Sequence, residues 1–531
     1  MDSEKKITFI HVISLIIVIL LPTLFIYQNK IDAQYPCCTI ASDGWYTISY
    51  VEGMLDGTEP HQQPKFLHFS DKQLYTNQPP LLHIVSSIFT KILDLRSFSA
   101  VYILSMFNLI FLIIIMFLFI RRYDKNLAYL SIPIFGFFAV KPFNSIFYHG
   151  QFYDIIGTLF LISFLFLIYY IRTTEYADKS KIFTLFLITL SALIITHLEF
   201  IYLFIIASSF LFIDYLYNNK KISLKYLIIF IVSSIAAVLI NLDAFYRIII
   251  LFPGSSFFLL SELPQLFGLD TPSLFVFGIF IPLIVIGLIS FIYKLFKTKF
   301  DFFVYSIILL FLLSFSSYIG FARYAEIRLF WPVLLAPLVG SPLKFLISLI
   351  KNGENRIFFT KYCSLFIIIL ILIPLTLVSY PKYGPETEKN LWDGIFWIRE
   401  KTPQNSSVLF LITDTQIWTR IFWYSKRPSY TKGIQDILNN NQSLINNSYE
   451  YLFIQGYEKE GFLKYKLSQI FAEKPLCHMN YVFFKTDYNV YDFFRIYKSD
   501  YVYNEILNNT NFKLEFNNSR IYIFSQNETC R

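Results

Sequence analysis

The feature that most constrains this chain is a succession of apolar runs, most of them about 20 residues long. A helix of that length crosses the bilayer core of about 30 Å, because each helical residue adds about 1.5 Å. About eleven runs fit this pattern; they lie near residues 7–27, 97–120, 127–141, 150–171, 181–196, 198–217, 224–241, 272–293, 301–320, 329–350 and 362–380. The sequence therefore predicts a polytopic α-helical membrane protein.

The composition excludes other classes of protein. Only 15% of the 531 residues are charged, whereas soluble domains carry about 25%. The hydrophobic content of 55% also excludes a disordered chain. A net charge of +8 would indicate nucleic-acid binding in a soluble protein, but here the basic residues form small clusters between apolar runs. We therefore expect a lipid bilayer, and no nucleic acid, as a partner.

Lys and Arg are concentrated in alternate loops, which is typical of loops that face the cytoplasm. These basic clusters are Lys5–Lys6, Arg121–Lys125, Arg172–Lys181, Lys220–Lys225, Lys294–Lys299 and Lys351–Lys361. The pattern predicts a cytoplasmic amino terminus and an extracytoplasmic carboxyl terminus, in the plasma membrane or the endoplasmic reticulum. We interpret the first run as a retained anchor, because no small-residue cleavage site follows it.

Two regions are then predicted to lie outside the membrane on the far side. One is the loop 28–80 with the segment 79–96, whose charges Lys91, Asp94 and Arg96 favour an interfacial helix over a spanning one. The other is the tail. The predicted division is a catalytic membrane domain at 1–380, which includes the loop, and an extracytoplasmic α/β domain at 381–531.

The tail has the patterns of a small α/β domain. Short apolar or alternating runs at 407–412, 449–454 and 521–524 predict strands, and 388–401 predicts an amphipathic helix. The tail also carries Asn-x-Ser/Thr sequons, which support an outer location because such sites are glycosylated in secreted regions. Chance in an Asn-rich tail is the alternative. The candidate asparagines are Asn405, Asn441, Asn446, Asn508, Asn517 and Asn527.

The first candidate for chemistry is Asp43, which begins a predicted helix that ends near Leu55. At 100° per residue, Asp43, Tyr46 and Tyr50 share one face, which we expect to line a cavity. Glu52 lies on a different side, which disfavours a two-carboxylate glycosidase site. A simple helix cap is the alternative role for Asp43. The opposite, apolar face is predicted to lie on the membrane and comprises Trp45, Ile48, Val51 and Leu55.

Other polar residues cluster at predicted outer helix ends, where ionisable groups tend to mark sites. Pro79 and Pro80 predict a sharp turn that opens a helix. The polar residues around that turn are Tyr75, Asn77, Gln78 and His83. A second group opens the fourth apolar run and comprises His149, Gln151 and Asp154. An ion pair with Lys141 is the alternative role for Asp154.

Two arginines are candidate phosphate ligands, because a guanidinium presents a planar fork to phosphate oxygens. They are Arg328 and Arg247. Snorkelling of Arg328 to the interface is an equally weighted alternative. His197 and Glu199 lie about 200° apart on a helix, so we expect a solvated turn there and no metal site.

In this order and on one predicted side, the motifs around Asp43, Tyr75–Leu82 and His149–Phe152 become recognisable. They resemble motifs of the GT-C glycosyltransferases. The stretches at Asp43 and Tyr75–Leu82 are similar to those of the protein mannosyltransferase and aminoarabinose-transferase-like group. His149–Phe152 is similar to a stretch of related lipid-linked-oligosaccharide glucosyl- and mannosyltransferases. The resemblance covers roughly residues 7–380. It implies an acidic base in the first outer loop and a polyprenyl-lipid donor site among the outer helix ends. Many members have Asp-Glu where this chain has Asp43-Gly44, which leaves Asp43 as the candidate base by analogy. Asp154 is the alternative source of a second carboxylate.

The activity implied by the resemblance is transfer of a hexose or pentose from a polyprenyl-phosphate carrier, such as a dolichol phosphate, with inversion. The acceptor would be a glycan, a lipid or a protein. Asp43 would act as general base, Arg328 and Arg247 would stabilise the departing phosphate, and Tyr46 and Tyr50 would contact the sugar. The scheme requires no cofactor or metal, although dependence on a divalent metal stays open.

Two alternatives remain from the sequence. The segment Trp392–Pro403 is similar to the helix that begins the outer domain of oligosaccharyltransferase catalytic subunits. Their Trp-Trp-Asp-Tyr-Gly motif is absent, so oligosaccharide transfer is the second enzymatic hypothesis. A transporter or flippase is the non-enzymatic hypothesis. The sequence shows neither the inverted repeat nor the charged relay at the bilayer midplane that transporters often have.

Overall fold

The computed structural model describes most of the predicted helices and part of the tail. The described residues are 12, 15–20, 42–60, 62–64, 66, 80–135, 150, 152–174, 178–196, 200–217, 220–243, 272–297, 301–314, 331–350, 352–353, 355, 358–360, 362–363, 366, 385–404, 406, 408–411, 424–427, 429–430, 481–485, 512–517 and 521–526.

The helices of the described part follow the order of the apolar runs. They are α1 (Ser42–Leu55), α2 (Leu81–Leu93), α3 (Ser97–Tyr123), α4 (Phe152–Thr174), α5 (Lys179–Ile194), α6 (Phe200–Tyr217), α7 (Lys220–Ile240), α8 (Pro272–Lys297), α9 (Phe302–Ser314), α10 (Trp331–Ser348) and α11 (Pro385–Lys401). The strands are β1 (Val408–Leu411), β2 (Ser429–Tyr430), β3 (Tyr481–Lys485), β4 (Phe512–Asn517) and β5 (Ile521–Gln526). Residues 125–135 are also helical.

The chain divides into two compact units. Unit one comprises Met1–Gln28, Asn77–Ser86 and Ala100–Lys382. Unit two comprises Asn29–Thr76, Ser87–Ser99 and Tyr383–Arg531. Unit two thus holds the first predicted outer loop together with the tail. The division into domains at 1–380 and 381–531 stays a prediction.

Within the described residues, two helices are long and apolar enough to cross a bilayer, namely Ser97–Tyr123 and Phe152–Thr173. Other apolar helices in this part are shorter, including Leu203–Tyr217 and Leu335–Ser348. The segment predicted to be interfacial forms the short helix α2, Leu81–Leu93. The count of about eleven spans therefore stays a prediction, as does the orientation of the termini.

Aromatic side chains pack the helices of unit one together. The ring of Phe119 on α3 lies 5.9 Å from the ring of Tyr169 on α4 and 4.9 Å from that of Phe303 on α9. The ring of Phe210 on α6 lies 4.2 Å from that of Phe302. Such contacts stabilise a bundle through dispersion and ring electrostatics, which operate without water.

Small residues allow α10 to approach two other helices of unit one closely, namely α8 and the helix at residues 125–135. A Cβ atom on Gly287 of α8 would lie 1.9 Å from the carbonyl oxygen of Leu338 on α10. A Cβ atom on Gly340 would lie 2.5 Å from Oγ of Ser131. Close backbone approach at small residues is a common means of helix association in membranes.

Ion pairs connect segments of unit one, and in the pair of Arg172 and Asp214 the carboxylate is buried. Nη1 of Arg172 on α4 donates to Oδ2 of Asp214 on α6 at 2.7 Å, and the Asp214 side chain is 1% exposed. Lys344 on α10 pairs with Asp124. Pairing reduces the cost of removing these charges from water.

The strands of unit two form one mixed sheet, in the order β2-β1-β3-β5-β4. β1 pairs in parallel with β2 and β3, whereas β5 pairs antiparallel with β3 and β4. The predicted strands 407–412 and 521–524 overlap β1 and β5, and the predicted helix 388–401 overlaps α11. The predicted strand 449–454 lies outside the described residues.

The sequence prediction for the apolar face of α1 is wrong. Instead of facing a membrane, Trp45 lies against the tail, with its ring 5.0 Å from that of Trp392 on α11. Ile48 and Val51 are completely buried. Apolar periodicity marks a face that is removed from water, but it does not distinguish lipid from protein.

Candidate functional site

The candidate base, Asp43, lies in the first turn of α1. Its side chain is outside the described part of the structure, so its role stays a prediction. Further along the helix, the hydroxyls of Tyr46 and Tyr50 form a hydrogen bond of 2.7 Å, and their rings are 4.7 Å apart. Tyr50 is only 1% exposed, whereas Tyr46 is partly exposed. Tyr46 is therefore the better placed of the two to meet a ligand, and Tyr50 supports it.

The carboxyl end of α1 holds a buried ion-pair cluster, which we call the Glu52 cluster: Glu52, Ser97, Arg399 and Lys426. Nη2 of Arg399 and Nζ of Lys426 each lie 2.8 Å from Oε2 of Glu52. The Ser97 hydroxyl donates to Oε1. The Glu52 side chain is 3% exposed. Both carboxylate oxygens are therefore satisfied, which a buried charge requires.

The electrostatics of the Glu52 cluster favour the ionised carboxylate. Burial by itself would raise the pKa of Glu52, but Arg399, Lys426 and Ser97 together outweigh it and lower the pKa below its ordinary value. On Arg399, burial alone would favour the neutral form, but the attraction of Glu52 raises the pKa overall. The pair is therefore fully charged at neutral pH.

A short segment of the tail, residues 424–427, supplies Lys426 to this cluster and makes further contacts beside it. The ring of Tyr424 lies 4.5 Å from the guanidinium of Arg399. Lys426 also reaches Oδ1 of Asp56 at 2.8 Å. Nη2 of Arg427 donates to the carbonyl oxygens of Arg399 and Thr402, at 2.8 and 2.6 Å. Arg427 thus satisfies carbonyl groups at the carboxyl end of α11, where a cation is favourable.

In unit one, the structure joins two of the regions that the sequence analysis singled out. Nε2 of His83 on α2 forms a hydrogen bond with the hydroxyl of Tyr153 on α4, and the rings meet edge to face at 5.5 Å. His83 is completely buried, and burial lowers the pKa of its imidazole, which is therefore neutral at physiological pH. His83 thus lies beside the first turn of α4.

That first turn also contains Asp154, which is partly buried. The preceding turn places Gly150 at φ +69°, a left-handed conformation that glycine adopts without a steric penalty. The glycine of the His-Gly-Gln-Phe stretch therefore has a backbone role.

Several predicted site residues lie outside the described part. They are Tyr75, Asn77, Gln78, His149, Gln151, Arg247, Arg328, Asn405, Asn441, Asn446, Asn508 and Asn527. Of the candidate glycosylation sites, Asn517 is described and lies exposed at the end of β4. Among the described residues, no group of three or more metal-ligating side chains occurs.

Sequence reasoning missed Arg399, Lys426 and Tyr153, and it gave no role to Glu52. One signal was available, because Glu52 follows Trp45 and Ile48 at helical spacing and so lies beside the apolar face of α1. A carboxylate on a buried face requires a cationic partner. The identity of that partner is not encoded near it.

No protein-family model matches the sequence, and no curated protein sequence matches it. Solved structures do match the fold. The apo oligosaccharyltransferase of Archaeoglobus fulgidus aligns with TM-score 0.54 and 14% identity, over 90% of this chain and 69% of that one. ArnT of Cupriavidus metallidurans bound to undecaprenyl phosphate aligns with TM-score 0.51 and 11% identity, over 98% of both chains.

A third structure extends the comparison. The mycobacterial arabinofuranosyltransferase AftD aligns with TM-score 0.52 and 11% identity, over 98% of this chain and 41% of that longer one. All three are GT-C glycosyltransferases. This chain has the GT-C fold. The GT-C resemblance seen in the sequence is thereby confirmed at the level of the fold, and the polytopic membrane architecture of these enzymes agrees with the predicted class.

Proposed function

We propose that this protein is an inverting glycosyltransferase that moves one sugar from a polyprenyl-phosphate donor to an acceptor outside the cytoplasm. The observation that carries the proposal is the GT-C fold, which aligns over 98% of this chain and of ArnT in a complex with undecaprenyl phosphate. Another GT-C structure, an archaeal oligosaccharyltransferase, contains dolichol phosphate and an inhibitory peptide. The undecaprenyl and dolichol phosphates belong to the class of lipid carrier that the sequence predicts. A further structure of the archaeal enzyme holds a tethered acceptor peptide, which belongs to one of the predicted acceptor classes.

In the proposed reaction, Asp43 accepts the proton of an acceptor hydroxyl as that oxygen attacks the anomeric carbon. The new bond joins the acceptor oxygen to that carbon, while the bond from the carbon to the phosphate oxygen breaks. The leaving lipid phosphate has a second pKa of about 6, so it departs as an anion without a general acid. A single carboxylate is therefore chemically sufficient, which suits a first turn that contains Asp43 followed by glycine.

Other predicted residues take binding roles. Arg328 and Arg247 would hold the departing phosphate by preorganised charge. Tyr46 would contact the sugar, with Tyr50 behind it. The remaining predicted lining residues are Tyr75, Asn77, Gln78, His149, Gln151 and Asp154. His83, which is completely buried against Tyr153, would support them from behind. The proposed reaction needs no metal ion, and the assay below tests whether the activity depends on a divalent metal.

The second candidate function is transfer from a lipid-linked oligosaccharide. The alignment with the Archaeoglobus oligosaccharyltransferase, over 90% of this chain, supports it. The absence of the Trp-Trp-Asp-Tyr-Gly motif speaks against acceptor selection of the kind those enzymes use. We therefore rank it second.

The test is a transfer assay with the full-length protein in liposomes. The donors are radiolabelled monosaccharides on undecaprenyl and dolichyl phosphate, with and without Mg²⁺ or Mn²⁺, and a membrane extract supplies acceptors. We expect the wild type to transfer one of these sugars and Asp43→Asn to lose at least about 100-fold in kcat. Asp94→Asn is the matched control, because Asp94 is exposed and asparagine tolerates its φ of +50°.

Three results would change the conclusion. Equal transfer by the wild type and Asp43→Asn would assign the base to another residue, with Asp154 the next to test. If the wild type consumes no monosaccharide donor, a lipid-pyrophosphate oligosaccharide is the next donor to test, and its transfer would favour the second candidate function. Lipid movement across the bilayer without any transfer would favour the transporter hypothesis.

A further inference from the structure

We propose that Glu52 is a positioning residue that fixes α1, and with it the base Asp43, by locking the helix to the tail through Arg399 and Lys426. This inference rests on the proposed function. It gives the tail a part in catalysis, although no tail residue touches the substrate in the proposed reaction. The lock consists of the Glu52 cluster and the segment 424–427.

The bonds to Glu52 are directional, unlike the apolar contact beside them. The contact of Trp45 with Trp392 is apolar, and apolar packing resists separation more than it resists sliding or rotation. The charged bonds from Arg399 and Lys426, both 2.8 Å long, reach a single carboxylate oxygen from two separate segments of the tail. Charge-assisted hydrogen bonds are strong and depend on geometry. They therefore set the register of α1 on α11.

The segment 424–427, which supplies Lys426, is held in a specific backbone conformation. The backbone of Lys426 adopts φ +55°, which is uncommon for a residue with a side chain and persists only where the surroundings impose it. Here Lys426 bridges Glu52 and Asp56, while the next residue, Arg427, is bonded to the end of α11. The segment is therefore bonded to both α1 and α11.

A displacement at Glu52 would be transmitted to Asp43 along α1. Glu52 lies nine residues after Asp43 in one continuous helix of 14 residues. At about 1.5 Å per residue, the lock acts about 13 Å from the base through a rigid rod. A displacement of about 1 Å at a reacting group can cost about 100-fold in rate. Loss of the lock should therefore lower kcat more than it alters substrate affinity.

The kinetic experiment compares Glu52→Gln with the wild type in the liposome assay, using the labelled donor that the wild type accepts. We expect kcat to fall by about 10- to 100-fold with KM for the donor within about two-fold. Glu59→Gln is the matched control, because Glu59 is exposed and, within the described part of the chain, its carboxylate accepts a local hydrogen bond from Gln62. An unchanged kcat in folded Glu52→Gln would overturn the positioning role.

Variants of Lys426 separate the charge from the backbone strain. Lys426→Asn tolerates the left-handed backbone but lacks the cation, whereas Lys426→Arg keeps the cation. We expect Lys426→Asn to lose kcat as Glu52→Gln does, and Lys426→Arg to retain most of it. Wild-type kcat in Lys426→Asn would show that the cation is dispensable, and loss of kcat in Lys426→Arg equal to that in Lys426→Asn would show that a cation is not sufficient; either result would contradict the lock.

A second measurement does not depend on activity. Hydrogen–deuterium exchange of the full-length protein in nanodiscs reports the local opening of α1. Removal of one partner from a buried ion pair is strongly destabilising, so we expect the exchange rates of residues 46–55 to rise by about 100-fold in Glu52→Gln, with those of α4 and α6 unchanged. Unchanged exchange in α1 would overturn the lock.

The two measurements keep the proposals apart. If the wild type transfers no sugar but Glu52→Gln loosens α1, the proposed function fails and the lock stands as a physical device. If the wild type transfers sugar, and Glu52→Gln keeps both its kcat and the protection of α1 from hydrogen exchange, the lock fails and the proposed function stands.

Discussion

The carboxylate of Glu52 accepts a hydrogen bond of 2.8 Å from the guanidinium of Arg399, which lies 347 residues later in the chain. This bond joins the first predicted outer loop to the first helix of the tail. Both residues are members of unit two, together with Ser97 and Lys426. The helix that carries the candidate base thus belongs to the same compact unit as the tail.

The Glu52 cluster should make the stability of unit two depend on pH. The folded-state pKa of Glu52 lies below its ordinary value of 4.5 because Arg399, Lys426 and Ser97 outweigh the effect of burial. Its stabilising contribution is therefore complete above that ordinary pKa and is lost as the pH falls through the folded-state value. Asp56 faces Lys426, and Tyr424 faces Arg399, so both belong to the same electrostatic environment.

The measurement is the thermal unfolding midpoint of the protein in detergent between pH 7 and pH 3, for the wild type and Glu52→Gln. We expect the wild type to lose more stability than the variant as the pH falls, because only the wild type has this carboxylate to protonate. Parallel curves would show that Glu52 contributes no pH dependence.

Gly287→Ala should destabilise unit one. The added Cβ would lie 1.9 Å from the carbonyl oxygen of Leu338, so α8 and α10 would have to separate. Overpacking of this kind costs about 1–3 kcal/mol. The midpoint of thermal unfolding in detergent measures the effect. Gly353→Ala is the control, since a Cβ there meets no atom within 4 Å. Equal midpoints for both variants would contradict the close contact between α8 and α10.

The pair of Arg172 and Asp214 should matter more than an exposed pair. The Asp214 side chain is 1% exposed, whereas the exposed pair of Lys181 and Asp178 has side chains that are 69% and 37% exposed. We expect Arg172→Met to lower the free energy of unfolding by roughly 3 kcal/mol, and Lys181→Met to lower it far less, because solvent screens an exposed pair. Unfolding by a graded denaturing detergent gives both values. Similar losses would argue against a structural role for the buried pair.

Tyr46 and Tyr50 should differ in their effects on transfer. Tyr46 is partly exposed and is proposed to bond the sugar, whereas Tyr50 is buried behind it. We expect Tyr46→Phe to raise the donor KM by about 10-fold, and Tyr50→Phe to raise it by a smaller factor. Tyr217→Phe is the control because Tyr217 is 81% exposed on α6. A larger effect at Tyr50 would reverse the proposed order of contact.

The sequence by itself determined the local features of this protein. Its long apolar runs specify helices such as α3 and α4, since a membrane requires every backbone polar group to be bonded within the segment. Its order of motifs indicated the GT-C fold, which the structural comparisons bear out. The helical periodicity of α1 also showed which side of that helix would be hidden from water.

Only the tertiary structure decided what covers that hidden side. The sequence predicted a membrane beside Trp45, and the structure places Trp392 there. The ion pairs of Glu52 likewise depend on residues from distant segments, which no local pattern specifies. The physical reason is that periodicity records burial, which is a property of one helix. A partner is fixed by packing and charge pairing across the whole chain, and these exist only once the chain has folded.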